Sequence, residues 1–183
     1  NAPSPTQNLQ DLCDSTLLSN LRYVHEPNNG LHNARHAGAR EAHGDILVFI
    51  DDDVICPPGW LAAIIAPFDN EEVSLVAGKV VLRYETSPPM WLEQFTSALS
   101  RLDLGDRAHA MPPYGSAVGC NMAVRKMILF DVGGFNPDGF GDHSLIRYRG
   151  DGESGLARKI HEAGHSVWYS PEAFLEHRVP DSR

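Results

Sequence analysis

Apolar residues in this chain gather into short runs separated by turn chemistry, and the sharpest run is Ile46-Leu47-Val48-Phe49-Ile50. Three of its five residues are β-branched, which predicts a short strand buried on both faces. Val73–Leu82 is a second β-rich run, and Leu21–His25 alternates apolar and polar residues as a half-exposed edge strand would. Between the first two strands, alanines from Asn33 to His43 followed by Gly44 predict a helix with a small-residue face. Pro57-Pro58-Gly59 then introduces a second helix, Trp60–Phe68. Strands alternating with helices predict an α/β sheet with right-handed crossovers.

Further on, Met90–Leu104 places Trp91, Leu92, Phe95, Ala98, Leu99 and Leu102 on one helical face. Core packing is the expected use of that face, with membrane or acceptor docking the other reading. Ser116–Arg125 reads as a strand with an internal glycine, and Gly133-Gly134-Phe135 opens a glycine-rich loop that runs through Gly141. A helix over Ser154–Ala163, capped by Gly164, leads to two short strands, Ser166–Ser170 and Ala173–His177, split by Pro171. Asn1–Asn20 shows no sustained period beyond one helical turn at Leu9–Leu18, so residues 21–183 are expected to form a single domain.

Charge narrows the partners. With 15 Lys and Arg against 24 Asp and Glu, a formal −9, the chain is unsuited to a nucleic-acid surface or a polybasic membrane patch. Cys13, Cys56 and Cys120 form no CxxC pair, so neither a disulfide framework nor a zinc site is indicated. No apolar run reaches membrane-spanning length and no signal peptide opens the chain. The expectation is a cytoplasmic protein, with peripheral contact at the inner face of a membrane left open. The chemistry concentrates at Asp51-Asp52-Asp53, directly after the first apolar strand. Adjacent carboxylates repel and resist burial, which calls for a cation, and hard oxygen ligands select Mg²⁺ or Mn²⁺. In open α/β sheets ligands gather beyond the carboxyl ends of strands.

Ile50-Asp51-Asp52-Asp53, Gly119-Cys120-Asn121-Met122-Ala123-Val124-Arg125, Gly133-Gly134-Phe135, an acidic helix start and a late strand ending in His177 follow one another in order. Together they resemble the family 2 glycosyltransferases, from about Leu21 to His177. That resemblance implies a three-layer α/β/α nucleotide-sugar transferase fold of the A type, with a mixed, mostly parallel sheet. It implies transfer of a sugar from a UDP- or GDP-sugar to an acceptor hydroxyl with inversion, helped by Mn²⁺ or Mg²⁺. Asp51 would approach the donor ribose, with Asp52 beside it but turned to the other face by strand alternation. Asp53 would hold the metal, with His177 near it. Asn121 and Arg125 are read as strand-end structure, Asn121 also being within reach of the donor sugar.

The base is left between two residues. In Gly150-Asp151-Gly152-Glu153, alignment on Leu156 puts Glu153 in the family's aspartate position and Gly152 where the family has glutamate, with Asp151 the alternative. His143, in the glycine-rich loop, could meet an acceptor. The chain lacks the Gln-x-x-Arg-Trp signature of processive synthases, which favours single-sugar transfer. Nothing before Leu21 resembles the family's opening nucleotide-binding strands, so the fold is expected to be incomplete on its N-terminal side. An edge left open there leads us to expect self-association, low stability or covering by Asn1–Asn20. The competing reading is a non-catalytic or truncated domain of the same fold that serves as a binding or assembly module.

Overall fold

The computed structural model describes residues 20–136 and 151–180. They build one six-stranded sheet: β1 (Ile46–Ile50), β2 (Val54–Ile55), β3 (Val73–Tyr84), β4 (His109–Ala110), β5 (Asn121–Arg125) and β6 (Ser166–Val179). The order is β1-β5-β3-β6-β2, with β4 pairing β6 off that path. Four helices accompany it: α1 (Leu31–Glu41), α2 (Trp60–Ile65), α3 (Lys126–Asp131) and α4 (Gly152–Glu162). The expected turn at Leu9–Leu18 and residue His143 lie outside the described residues.

Side-chain alternation explains the three layers. Leu47 on β1, Leu75 and Ala77 on β3, and Met122 and Val124 on β5 face one core, shared with Ala39 of α1, Ile128 and Leu129 of α3, and Leu156 and Ile160 of α4. Val76 and Val80 of β3 and Ala123 of β5 face the opposite core, against Trp60 and Ile64 of α2. Period-two strands between helices on both faces give the α/β/α sandwich. Each fully buried Leu, Ile or Val contributes about 1.5–3 kcal/mol. α4 ends as its sequence says: Gly164 sits at φ 85°, donating to the His161 carbonyl while His165 donates to Ile160, a Schellman closure.

Several expectations need correction. The sheet is mostly antiparallel, because only β3 and β6 pair in parallel while β1–β5, β5–β3, β2–β6 and β4–β6 are antiparallel. β1, β3 and β6 do run in one direction, as crossovers require, but β5 inserts in reverse between β1 and β3, and no local pattern announces that. β1 stands at an edge among the described residues, and Ile50 is 50% exposed, so it is not buried on both faces. Leu21–His25 forms no strand. Ser166–Val179 is one strand, with Pro171 placed where the β3–β6 register shifts between Gly78 and Val80 and no ladder N–H is needed. Met90–Leu99 is a 3-10 helix with no buried residue, Met90 being 88% and Trp91 63% exposed, so its apolar face is not core. Three residues per turn spread the stripe that an α-helix would have gathered. Among the described residues no helix is long and apolar enough to cross a membrane.

Candidate functional site

β1 and β2 lie at opposite edges of the sheet, yet only Asp51, Asp52 and Asp53 separate them in sequence. The three aspartates therefore lie across the sheet's end, between Ile50, paired with Asn121, and Val54, paired with His177. Ligand atoms of Asp51, Asp53 and His177 all fall within 4.8 Å of one another. His177 is 3% exposed; its Nδ1 donates to the Leu99 carbonyl at 3.0 Å, leaving Nε2 3.1 Å from Asp53 Oδ1. A carbonyl on one ring nitrogen that frees the other for coordination is the usual support of a metal-bound histidine. Two carboxylates and an imidazole nitrogen gathered in this way could hold a divalent cation. Asp52 is exposed and outside this group.

Charge balance around Asp51 agrees with a cation site. Burial pushes its carboxyl above the ordinary value; Arg35 pulls it back, Asp53 pushes it up, and the smaller effects of His177 and Asp52 oppose one another. The buried Cys120 thiol nearby is pushed up to about 12, first by burial and then by Asp51, so it stays protonated at neutral pH.

The second half of the site is carried by α1 and α4. Glu153, in the first turn of α4, accepts a bond from Arg35 Nη1 at 2.7 Å, and Arg35 is 8% exposed. Burial raises the Glu153 carboxyl, but the hydrogen bond and charge of Arg35 outweigh it and hold the group below its ordinary value. Asp151 is engaged elsewhere: Asn136 donates to its Oδ1 at 3.0 Å and Arg158 to its Oδ2 at 3.3 Å. Phe135 explains the Gly-Gly-Phe signature. Gly134 takes φ 70° and a Cβ there would overlap the His36 ring, while the Phe135 N–H donates to His36 Nε2 at 2.9 Å. The Phe135 ring then stacks on His32 at 5.1 Å and lies 5.5 Å beneath the Arg35 guanidinium.

Asn121 does not face a donor. It has no exposed surface; its Nδ2 donates to the carbonyls of Lys79 and Ala173, and its Oδ1 accepts from Trp60 Nε1 at 2.9 Å. It ties β5 to β3, β6 and α2, as the strand-end structural reading of it expects. Arg125 is structural as expected, binding the carbonyls of Phe68, Asn70 and Val73. The residues missed in the sequence are His32, Arg35 and His36. Their i, i+3, i+4 spacing puts them on one face of α1, and that was the available signal.

The model of the family described as glycosyl transferase family 2 matches residues 3–133. The chain belongs to that family. The match starts upstream of Leu21, so the likeness is not confined to the part after it, and it stops before Asp151, Glu153 and His177. Pre-mycofactocin glycosyltransferase of Mycobacterium tuberculosis is 28% identical over 161 residues, covering 86% of this chain and 32% of that protein. Glucosyl-dolichyl phosphate glucuronosyltransferase of Haloferax volcanii is 24% identical over 166 residues, covering 88% of this chain and 51% of that protein. The chain thus spans between 32% and 51% of the length of these curated relatives. Among solved structures, GalNAc-T7 with UDP, GalNAc and Mn²⁺ superposes with a TM-score of 0.60 at 15% identity, over 85% of this chain and 31% of that one. The mannosyltransferase PcManGT from Pyrobaculum calidifontis, in complex with GDP-Man and Mn²⁺, gives 0.55 at 21% identity, over 84% and 38%. These likenesses establish that the fold is that of the A-type glycosyltransferases.

Proposed function

We propose that this family 2 member transfers a sugar, with inversion, from a UDP- or GDP-sugar to an acceptor hydroxyl, and that Mn²⁺ bound by Asp51, Asp53 and His177 assists. The observation that carries the reading is the gathering of those three ligand groups at the carboxyl end of β1, with Glu153 close enough to share the field of Arg35. An imidazole in the ligand set favours Mn²⁺ over Mg²⁺, which keeps to oxygen. A divalent cation there supplies positive charge for the departing nucleoside diphosphate. The protein's own residues do the rest. Glu153, held ionised, takes the proton of the acceptor hydroxyl as its oxygen bonds the anomeric carbon and the bond to the diphosphate breaks on the opposite face. Asp151, already bound to Asn136 and Arg158, fixes the approach to α4 instead of taking that proton.

Titration of the chain with UDP and GDP, with Mn²⁺ and again with chelator, tests the metal half. Saturable binding that chelator removes is the expected result, and equal binding in both conditions would overturn it. Donor hydrolysis by the same protein tests the transfer half. Metal-dependent nucleotide binding without turnover of any donor would favour a binding module on the same fold.

A further inference from the structure

Arg35 is drawn into the site from a helix that the reading of the aspartates and of Glu153 does not otherwise use. Its guanidinium is enclosed: Phe135 lies beneath it at 5.5 Å, His32 Nδ1 stands 3.3 Å from Nη1, and Glu153 Oε1 is bonded at 2.7 Å. Two glycines complete the enclosure. A Cβ on Gly119 would overlap the guanidinium and come within 2.5 Å of Glu153 Oε1, and a Cβ on Gly152 would overlap the His32 ring. Buried ion pairs are weak evidence of stability, because desolvation offsets much of the attraction. A buried pair that also reaches a carboxylate cluster calls for another explanation.

We propose that Arg35 is the positioning residue of Glu153, fixing the carboxylate of α4 against α1 at the end of the sheet where Asp51 also feels its charge. The inference rests on Glu153 being the base of the proposed transfer. Two consequences follow from the geometry. Rotation of Glu153 is restrained, because Arg35 is itself held over the Phe135 ring and packed close against the backbone of Gly119. Burial raises the proton affinity of Glu153, and the hydrogen bond and charge of Arg35 are the largest effects that lower it. Among the described residues, Arg35 and His32 of α1 act on Glu153; at the start of its own helix, Asp151 and Arg158 are paired with each other. Without Arg35, burial would meet less opposition and the carboxyl would hold its proton to higher pH.

The test is carboxyl-carbon NMR of the whole chain labelled with [13C]glutamate, the Glu153 signal being assigned by its loss in Glu153→Gln. In the wild type Glu153 should protonate below the ordinary glutamate value. In Arg35→Gln it should take up its proton at a higher pH than in the wild type, and Arg35→Lys should bring the titration back down by restoring the charge. Should Arg35→Gln fail to fold, the wild-type titration still decides: protonation of Glu153 at or above the ordinary glutamate value overturns the proposal. So does an identical Glu153 titration in wild type and Arg35→Gln. With a nucleotide-sugar and Mn²⁺, the acid limb of the turnover profile should move to higher pH in Arg35→Gln and return in Arg35→Lys, which a merely structural pair would not produce. Full turnover in Glu153→Gln alongside the expected Arg35 response would sink the base and leave the positioning standing. Lost turnover in Glu153→Gln with no response to Arg35 would do the opposite.

Discussion

At the end of β1, Asp51 and Asp53 stand with His177 inside a 4.8 Å cluster, and the charge of Arg35 also reaches Asp51. At the start of α4, Glu153 is bonded to its own guanidinium at 2.7 Å. Both sides draw carboxylates partly out of water, but one pairs with a cation of the chain and the other gathers groups that could hold a metal ion. The difference teaches how roles divide. In the proposed reading, the ion ligands wait for a charge from outside the chain, whereas the proton acceptor is kept ionised by a neighbour that never leaves.

Removing charge on the open side should have the largest effect. Asp53→Ala is expected to abolish Mn²⁺-dependent binding of UDP or GDP while the far-ultraviolet circular dichroism stays unchanged, since this strand-end carboxylate adds little to the core. Retained metal-dependent affinity in the folded variant would put the ion elsewhere. Glu153→Gln should cut turnover about 10²-fold or more with nucleotide affinity little changed, because the amide keeps the shape but cannot take a proton. A loss of affinity instead of turnover would move Glu153 to the open side of the comparison.

Asn121→Ala tests the wall between the two sides. It strips partners from the Trp60 indole and from the carbonyls of Lys79 and Ala173, all in the interior. Denaturant unfolding should show a loss of about 2–4 kcal/mol. An unchanged midpoint would mean that the asparagine is not the tie it resembles. The smallest effect is expected from Asp151→Asn, which weakens a half-exposed pair with Arg158 and leaves the hydrogen bond from Asn136 within reach. Both turnover and stability should stay within about threefold and 0.5 kcal/mol of wild type. A turnover loss as deep as that of Glu153→Gln would reverse the assignment of the two acids.

What could be read from the sequence was whatever is decided within a few residues. The β-branched run of β1, the Gly164 closure of α4 and the aspartates at a strand end are local signals, and each lies where it was expected. Strand order and direction are not local, so the reversed β5 and the edge position of β1 had no signature. Met90–Leu99 misled because periodicity reports that a face is apolar and not whether anything covers it. Arg35 finds its partner Glu153 118 residues away, a separation that no local pattern spans.

β6 joins the core to the metal site through its own numbering. Its first half pairs β3 from Val73 to Gly78, its second half from Val80 to Tyr84, and between them the strand takes up extra residues before Leu175. His177 faces Asp53 because that excess has its present length. Strand side chains alternate, so a change of one residue would turn Glu176 or Arg178 inward and His177 outward without touching any ligand. A single deletion within residues 171–174 would therefore act as a ligand mutation made at a distance, sparing the first half of the strand and erasing the ion's third anchor.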